Sequence, residues 1–411
     1  MLEVKGVGKT TNVLLMGLTA LCLSLAGSMF AKQEVTTPSV LSTPRLAKSV
    51  ITSPTLDRRY DIPKSQWKKA ESKAWISPVV RTAFPFDELI YFWKIRIPRD
   101  EGFRLYLQVF FPDGKESPWL YAGYWGTVRY SPKRQIPEFD RGKLDYDQLL
   151  LTSSAVAFRF KLVDEGKKPL SGKPDLGVIV THNHPSSELL TRFAEKRTTS
   201  SAPERVFDIP LRLQVDTAGN KLIDRCQSAA LASAMQYFGT TVPLEQIICW
   251  TTDPEYESFG IWPRTIGAAI ELGFDAYLDR FRDWNKVRDT LAENKVILCS
   301  ITMPSGDDYL APPYKQMSGH IVALCGVTDD NRVIVVDSAI TRENRGYLVQ
   351  WLLPDFEKIW IRNKGGVGMV ICPPQGFRAK LVNQLPPFPR PVGSIGWPDD
   401  KETTSSSAAG Q

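Results

Sequence analysis

Alternating hydrophobic and polar positions mark the first half of the chain. In the stretch GFRLYLQVFF, apolar side chains occupy every second position: Phe103, Leu105, Leu107, Val109 and Phe111. Asp113-Gly114 follows, and similar alternation recurs at 93–97 and 156–162. A period of two is typical of strands with one buried face, and Asp-Gly between such runs is typical of hairpins. These patterns predict an all-β sandwich over residues 56–190.

The hydrophobic period changes after a polar segment, residues 191–205. Apolar positions then recur at helical spacing in four segments: 227–238, 244–251, 263–272 and 284–293. Strand-like apolar runs follow at 296–301, 320–327, 332–337 and 367–372. Helices followed by strands predict an α+β domain, which we place at residues 206–374. The predicted fold class is therefore α+β, with an all-β sandwich in front.

A short apolar run near the N-terminus predicts a signal peptide. Lys5 and Lys9 precede the run, residues 13–26, and small side chains follow it. The run is too short for a confident transmembrane span. We therefore assign residues 1–28 to a signal peptide and expect a secreted, periplasmic or cell-surface protein without a transmembrane anchor. Lipidation of Cys22 is the alternative, although the leucine before it is large for that processing site.

Composition predicts two linkers and a disordered tail, and the distribution of charge argues against nucleic-acid partners. Residues 29–55 and 191–205 are polar and are expected to be linkers, and residues 375–411 are expected to form a disordered tail. The net charge of +6 is spread along the chain without a block of Lys and Arg. Such a diffuse charge gives no basis for nucleic-acid binding.

Five cysteines remain after the predicted signal peptide, all in the second half of the chain. Secreted chains usually pair their cysteines, and an odd number leaves at least one thiol over. Cys249, Cys299, Cys325 and Cys372 lie in apolar runs, which predicts buried thiols in core elements. Cys226 has polar neighbours and precedes a predicted helix, so we expect it to be the reactive thiol.

Cys226 and His320 form a candidate nucleophile and base. A thiol attacks as the thiolate, which a helix N-terminus and a nearby imidazolium both stabilise. Of the three histidines, only His320 falls in the α+β domain. The hairpin predicted after His320 returns Asp337 towards it, where a carboxylate can orient the ring. Upstream, the Gln214 amide could donate to an oxyanion together with the Cys226 N–H.

Residues 206–373 resemble the C39-like cysteine peptidases, which are papain-like thiol proteases. The resemblance lies in IPLRLQ, in the helix after Cys226, and in the segments FGIWPRTIGAAIELGFDAYLDRF and GHIVALCGVTDDNRVIVVDSA. It implies a papain-like fold with Cys226 as nucleophile, His320 as base, Asp337 as the orienting residue and Gln214 in the oxyanion hole. It also implies a peptide or protein substrate, cell-wall peptides included, and no metal or other cofactor.

The resemblance extends to the first half and has two departures in the second. FDELIYFWKI and SPWLYAGYWG resemble the β-sandwich that precedes this domain in some bacterial members. The family usually has Gly or Ser and then Pro after the cysteine, where this chain has Gln227-Ser228. It often has Asp-Pro-Ala where this chain has Asp337-Ser338-Ala339. No ATP-binding segment accompanies the domain, so the role of the bacteriocin exporters is not implied.

Other functions stay open at the level of sequence. The main rival is a catalytically inactive surface- or carbohydrate-binding protein on a papain-like fold. Aromatic side chains of the first half could stack on sugars, among them Trp93, Trp119, Tyr121, Tyr124 and Trp125. His182 and His184 are two positions apart on a predicted strand, so they would share a face and could bind zinc. The sequence offers no third ligand beside them. The same Cys–His–Asp set could also serve amide hydrolysis of wall peptides or transpeptidation.

Overall fold

The described residues of the computed structural model form two antiparallel sheets with helices on the second. They are residues 54–127, 136–193, 199–216, 218–340 and 345–388. All of them belong to one compact unit, Arg45–Gln411. The predicted signal peptide, nearly all of the first linker, and most of the C-terminal tail lie outside the described residues. The predicted domain boundaries stay predictions.

The first sheet contains ten strands among the described residues. The strands are β1 Leu56–Ile62, β2 Lys68–Glu71, β3 Ala74–Ile76, β4 Val80–Lys94, β5 Gly102–Phe110, β6 Leu120–Gly126, β7 Glu138–Phe139, β8 Gly142–Asp145, β9 Gln148–Asp164 and β10 Asp175–His182. A short helix, α1 Ser187–Phe193, follows them. The runs at 103–111 and 156–162 coincide with β5 and with part of β9, so the period-two pattern predicted these two strands correctly. The run at 93–97 overlaps only the end of β4 at residues 93 and 94, so its continuation as a strand to residue 97 was wrong.

The long strand β9 joins the two halves of this sheet. Its first half pairs with β4 and β8, and its second half pairs with β3 and β5. The register between β4 and β9 shifts twice between Arg81 and Glu88, and such bulges bend a strand. Buried rings from both halves meet, as where the Trp93 ring lies 6.2 Å from the Phe103 ring. The region is all-β, and its description as a sandwich stays a prediction.

The second sheet has seven strands in the described part of the chain, in the order β12-β17-β13-β14-β15-β16 with β11 beside β14. Its elements are β11 Arg205–Val206, α2 Cys226–Tyr237, α3 Leu244–Thr251, α4 Trp262–Glu271, β12 Ala276–Arg280, α5 Trp284–Ala292, β13 Val296–Met303, β14 Met317–Val327, β15 Arg332–Val336, β16 Val349–Leu352, α6 Leu353–Glu357 and β17 Val367–Ile371. The α+β class is confirmed. All eight helices and strands predicted here are present, whereas β11, β12, β16 and α6 were not predicted.

The helix α4 packs directly on the first sheet. The buried Arg264 donates from Nη1 to the backbone oxygen of Tyr124 at 2.5 Å. Gly267, one turn along the helix, faces two indole rings of the first sheet. A Cβ on Gly267 would lie 2.7 Å from Trp93 Nε1 and 2.7 Å from Trp125. The two sheets therefore share a close, desolvated interface.

We expect the Gly267→Val substitution to destabilise the protein by about 2–3 kcal/mol, because overpacking a buried contact forces the indole rings to move. Chemical denaturation, followed by circular dichroism, measures the change in the free energy of unfolding. Gly172→Val is the matched control, since a Cβ there would meet only Ile95 at 3.9 Å. Equal stability of the two variants would contradict the close packing of α4 on the first sheet.

Candidate active site

Cys226 is the first residue of α2. The helix is rich in alanine, and its small apolar side chains suit a helix that is buried on nearly all sides. The N–H groups of a first helical turn have no acceptor within the helix. Cys226 therefore presents both a half-buried thiol and an orphan backbone N–H at the same place.

His320 and Asp337 meet as the hairpin pattern predicts. His320 lies on β14, and Asp337 follows directly after β15, where its N–H donates to Gly346 O at 2.7 Å. His320 Nε2 lies 2.8 Å from Asp337 Oδ1. His320 is 8% exposed and Asp337 is fully buried, so water barely screens the pair.

Asp337 has two further hydrogen-bond donors. The Tyr314 hydroxyl donates to Oδ2 at 2.5 Å, and the Ala339 N–H donates to Oδ1 at 3.0 Å. Burial raises the pKa of the Asp337 carboxyl, but the His320 charge and these side-chain bonds outweigh burial, so its pKa is lowered. Tyr314 is a site residue that the sequence analysis missed, because its loop carries no motif that distinguishes it.

Cys226 is the second partner of the His320 ring. Burial lowers the pKa of His320, whereas the Asp337 charge, its hydrogen bond and the Cys226 side chain together raise that pKa well above its usual range. Since Nε2 faces Asp337, Nδ1 is the ring nitrogen left for the thiol. His320 and Cys226 also line the same cavity. The structure thus brings together the three residues that the sequence placed far apart.

Gln214 lies between the two halves of this arrangement. Its Oε1 accepts from the N–H of Arg225, the residue before Cys226, at 2.9 Å. Its Nε2 donates to Ser338 Oγ, directly after Asp337, at 3.1 Å. An amide nitrogen carries two hydrogens, so one remains for a further acceptor. Gln214 therefore ties the nucleophile segment to the Asp337 segment.

The two residues after Cys226 have structural partners. Gln227 is buried; its Nε2 donates to Ile261 O at 2.6 Å, and its Oε1 accepts from Gly260 N at 2.8 Å. Ser228 shares a 2.7 Å hydroxyl hydrogen bond with Thr251 on α3. These contacts lock the start of α2 to α3 and to the segment before α4. The departure at Gln227-Ser228 is thereby accommodated in the packing of α2.

A cavity of about 370 Å³ opens over Cys226 and His320. One wall comes from the first sheet, through the turn between β8 and β9, residues 145–148. In this turn, Asp147 Oδ2 accepts the N–H of Trp262, the first residue of α4, at 2.5 Å. The sequence analysis placed no residue of the first half at this site, because only the packing of the two sheets brings the turn there.

The cysteines differ from the expectation in two respects. The five cysteines of the described chain form no disulfide with one another. Cys299 and Cys325 are buried as predicted, but Cys249 is exposed and Cys372 is half-buried. The prediction for Cys249 was wrong because α3 buries Leu244, Ile247 and Thr251 on one face and turns Cys249 away from it.

The histidines of the first sheet have a different setting. His182 Nδ1 lies 3.9 Å from Asp87 Oδ2, and His184 lines a second cavity of about 470 Å³ beside the first. Among the residues that the structure describes, no group of three or more His, Cys, Asp and Glu could hold a metal ion. In the same residues, no helix combines the length and apolar character needed to cross a membrane.

Comparison with known proteins identifies the second half of the chain. Residues 206–367 match the model of the Peptidase_C39 like family. Over these residues the chain is similar to the C39-like peptidases. The match ends before the last strand β17 is complete and excludes the first sheet, so the cavity above Cys226 has one wall from outside the matched region.

Two solved structures resemble part of this chain at low identity. The peptidase domain of Streptococcus ComA, a bi-functional ABC transporter involved in a quorum sensing pathway, is 16% identical, with a TM-score of 0.27 over 40% of this chain and 99% of that chain. A chain described as a C39-like peptidase from Bacillus anthracis is 14% identical, with a TM-score of 0.32 over 43% of this chain and 100% of that chain. No curated protein matches the chain significantly.

Proposed function

We propose that this protein is a cysteine peptidase that hydrolyses peptide bonds through Cys226. The observation that carries the proposal is the His320 ring, which has Asp337 on Nε2 and the Cys226 side chain as its other partner. A ring held in this way can accept the thiol proton and keep it, since the neighbouring carboxylate stabilises the imidazolium.

In the acylation step, the Cys226 thiolate attacks the carbonyl carbon of the scissile bond. The Cys226 N–H and the remaining hydrogen of Gln214 Nε2 would donate to the oxyanion that forms. The imidazolium of His320 then gives its proton to the leaving amine, the C–N bond breaks, and a thioester remains on Cys226. Gln214 is already held in place by its bonds to Arg225 and Ser338, so it needs no reorganisation.

In the deacylation step, water attacks the thioester carbon. His320 takes a proton from the water, and the C–S bond breaks with release of the carboxylic acid product. The proton is then shared again between His320 and Cys226. Asp337 keeps its charge throughout and acts by holding the ring, with Tyr314 and Ala339 fixing the carboxylate.

The proposed site of action is outside the cytoplasm. Its support is the charged and then apolar pattern of the N-terminal 28 residues, typical of signal peptides. A cell-surface or secreted peptidase would meet protein or cell-wall peptide substrates. N-terminal sequencing of the protein exported by its own cell tests the assignment, and a mature chain beginning at Met1 would contradict it.

Alkylation of the thiols tests the proposed function without knowledge of the substrate. We expect iodoacetamide to label Cys226 at pH 6 at least about tenfold faster than the exposed Cys249, because an imidazolium-paired thiolate persists where an ordinary thiol is protonated. Peptide mapping by mass spectrometry follows each cysteine in the folded protein. His320→Ala is the control and should remove the advantage of Cys226 while leaving the labelling of Cys249 unchanged.

Equal labelling of Cys226 and Cys249 at pH 6 would contradict the proposal. The protein would then be better described as a binding protein on a peptidase-like fold, the alternative considered from the sequence. That alternative has less support, because the Cys226, His320 and Asp337 side chains are all present and correctly connected. Four of the five aromatic residues offered for carbohydrate contact also speak against it, because they are buried: Trp93, Tyr121, Tyr124 and Trp125. Trp119 is half-buried.

A further inference from the structure

The cavity above Cys226 has an unusual distribution of charge. Three carboxylates line it: Asp145 and Asp147 from the turn between β8 and β9, and Asp224 from the segment before α2. Lys364 is the one lysine or arginine among the lining residues of the described chain. Lys143 lies outside the lining set and pairs with Asp145 Oδ2 at 3.2 Å. Since the Cys226–His320 pair carries no net charge when ionised, the two other carboxylates outnumber Lys364 and the cavity is negative.

Asp147 is a lining residue of the cavity that is held by a backbone hydrogen bond. Its Oδ2 accepts the Trp262 N–H at 2.5 Å, so the β8–β9 turn is attached to the start of α4. Asp147 is 7% exposed. Burial raises the pKa of Asp147 to about 7; the Trp262 N–H and Lys364 oppose this effect, and Asp145 adds to it. The phenol of the buried Tyr91 is a further titratable neighbour.

The other lining side chains suit an organic cation. The rings of Tyr146 and Trp262 stand beside the carboxylates, and aromatic faces attract ammonium groups. Phe259 also lines the cavity, but the Arg225 guanidinium already lies 3.3 Å from the centre of its ring. Carboxylates and aromatic residues therefore occur together where the β8–β9 turn of the first sheet meets the start of α4.

We propose that the β8–β9 turn is a specificity element of the cysteine site, and that the cavity selects a substrate residue whose side chain ends in a primary ammonium group. Asp145 and Asp147 bind the ammonium group, and Tyr146 and Trp262 cover its aliphatic stem. The inference rests on the proposed peptidase function. It also assigns the first sheet a direct part in substrate recognition, in place of a separate binding role.

Charged thiol reagents test the electrostatics of the cavity directly. Cys226 is modified with the cationic 2-aminoethyl methanethiosulfonate and the anionic 2-sulfonatoethyl methanethiosulfonate, where the thiolate attacks the reagent sulfur and methanesulfinate leaves. We expect Asp145→Asn and Asp147→Asn each to lower the ratio of cationic to anionic rates by roughly fivefold, the scale of one partly solvated charge. Lys364→Gln should raise the ratio.

The control is Asp140→Asn, which removes an exposed carboxylate before β8 that does not line the cavity. Its ratio should equal that of the unchanged protein. Asp147→Asn retains an oxygen for the Trp262 N–H, so the turn should stay in place. The ratio of the two rates cancels any change in the ionised fraction of Cys226, and neutral iodoacetamide measures such a change separately in each variant, which separates cavity charge from thiol reactivity.

A positional peptide library tests the substrate class with the full chain. Library members carry lysine, norleucine or glutamate at each position beside the scissile bond, and norleucine keeps the aliphatic stem without the charge. We expect lysine to exceed norleucine by at least about fivefold in kcat/KM at one position. The preference should grow as the pH rises through about 7, where Asp147 ionises, and Asp147→Asn should abolish this growth.

The outcomes separate the inference from the proposed function. Equal reagent ratios in the unchanged protein, Asp145→Asn and Asp147→Asn overturn the inference, while fast alkylation of Cys226 at pH 6 still supports a cysteine peptidase. Hydrolysis of library peptides without a lysine preference also overturns the inference alone. No hydrolysis of any library peptide, together with slow alkylation at pH 6, overturns the proposed function and the substrate assignment with it.

Discussion

Cys226→Ala will lower the rate of peptide hydrolysis by at least about 10³-fold, because no other group in the cavity can form the thioester. The loss of one sulfur atom from a half-buried position should change the free energy of unfolding by less than about 1 kcal/mol. This variant should therefore lose its activity while keeping its stability. Hydrolysis of the positional library and chemical denaturation measure the two quantities.

Cys249→Ala is the matched control for this substitution. Cys249 is exposed on α3 and does not line the cavity, so its replacement should leave hydrolysis unchanged. Turnover in Cys226→Ala within tenfold of the unchanged protein would show that the reaction does not pass through this thiol. A large loss of stability in Cys226→Ala would instead show that the cysteine has a structural role at the start of α2.

His320→Ala will remove the base and the charge that stabilises the thiolate, and we expect hydrolysis to fall by about 10²–10⁴-fold. Alkylation of Cys226 at pH 6 should slow as well. Substitutions of Asp337 then distinguish its role in orienting the His320 ring from the effect of its negative charge. Asp337→Asn retains an acceptor for His320 Nε2 and should lose less activity than Asp337→Ala, which leaves the buried ring without its partner.

The pH dependence of hydrolysis follows from the raised pKa of His320 and from the Asp337 charge that contributes to it. The pKa of His320 is raised well above its ordinary value of 6.5, so hydrolysis by the unchanged protein should persist well above pH 6.5 before it declines. Asp337→Asn removes the charge that raises this pKa, and the alkaline limb should move to lower pH by about 1–3 units. An alkaline limb at the same pH in both proteins would contradict the ion pair.

The free energy of unfolding should also depend on pH through the same two residues. The raised pKa of His320 contributes stability that is complete below its ordinary value of 6.5 and is lost as the pH rises through the folded value. The lowered pKa of Asp337 contributes stability that is complete above its ordinary value of 3.8 and is lost as the pH falls through the folded value. The pair should therefore stabilise the fold fully between about pH 4 and pH 6.5, and Asp337→Asn should flatten this dependence.

The sequence alone determined the elements that carry the three central residues. A run of small helix-forming residues after Cys226 predicts a helix that starts at the thiol, and α2 begins there. The apolar run after His320, the polar turn and the return run predict the hairpin of β14 and β15. These inferences succeed because the hydrophobic period and turn chemistry are local properties of the chain.

Features that depend on packing between distant segments could not be predicted from a local pattern in the sequence. Tyr314 reaches Asp337 from a loop without periodicity, and Cys249 is exposed although its neighbours are apolar, because a helix buries only one face here. Whether a side chain is buried depends on what packs against its element, and a single apolar run does not contain that information.

The wall of the cavity was decided entirely by tertiary structure. Asp147 lies in a turn of the first sheet, and its place opposite Cys226 depends on the packing of α4 against β4, on the space left by Gly267, and on the hydrogen bond from Trp262. The sequence predicted two regions with separate hydrophobic patterns. It could not show that they share one site, because burial at an interface between sheets depends on the shape and charge of both surfaces, whereas periodicity reports each element separately.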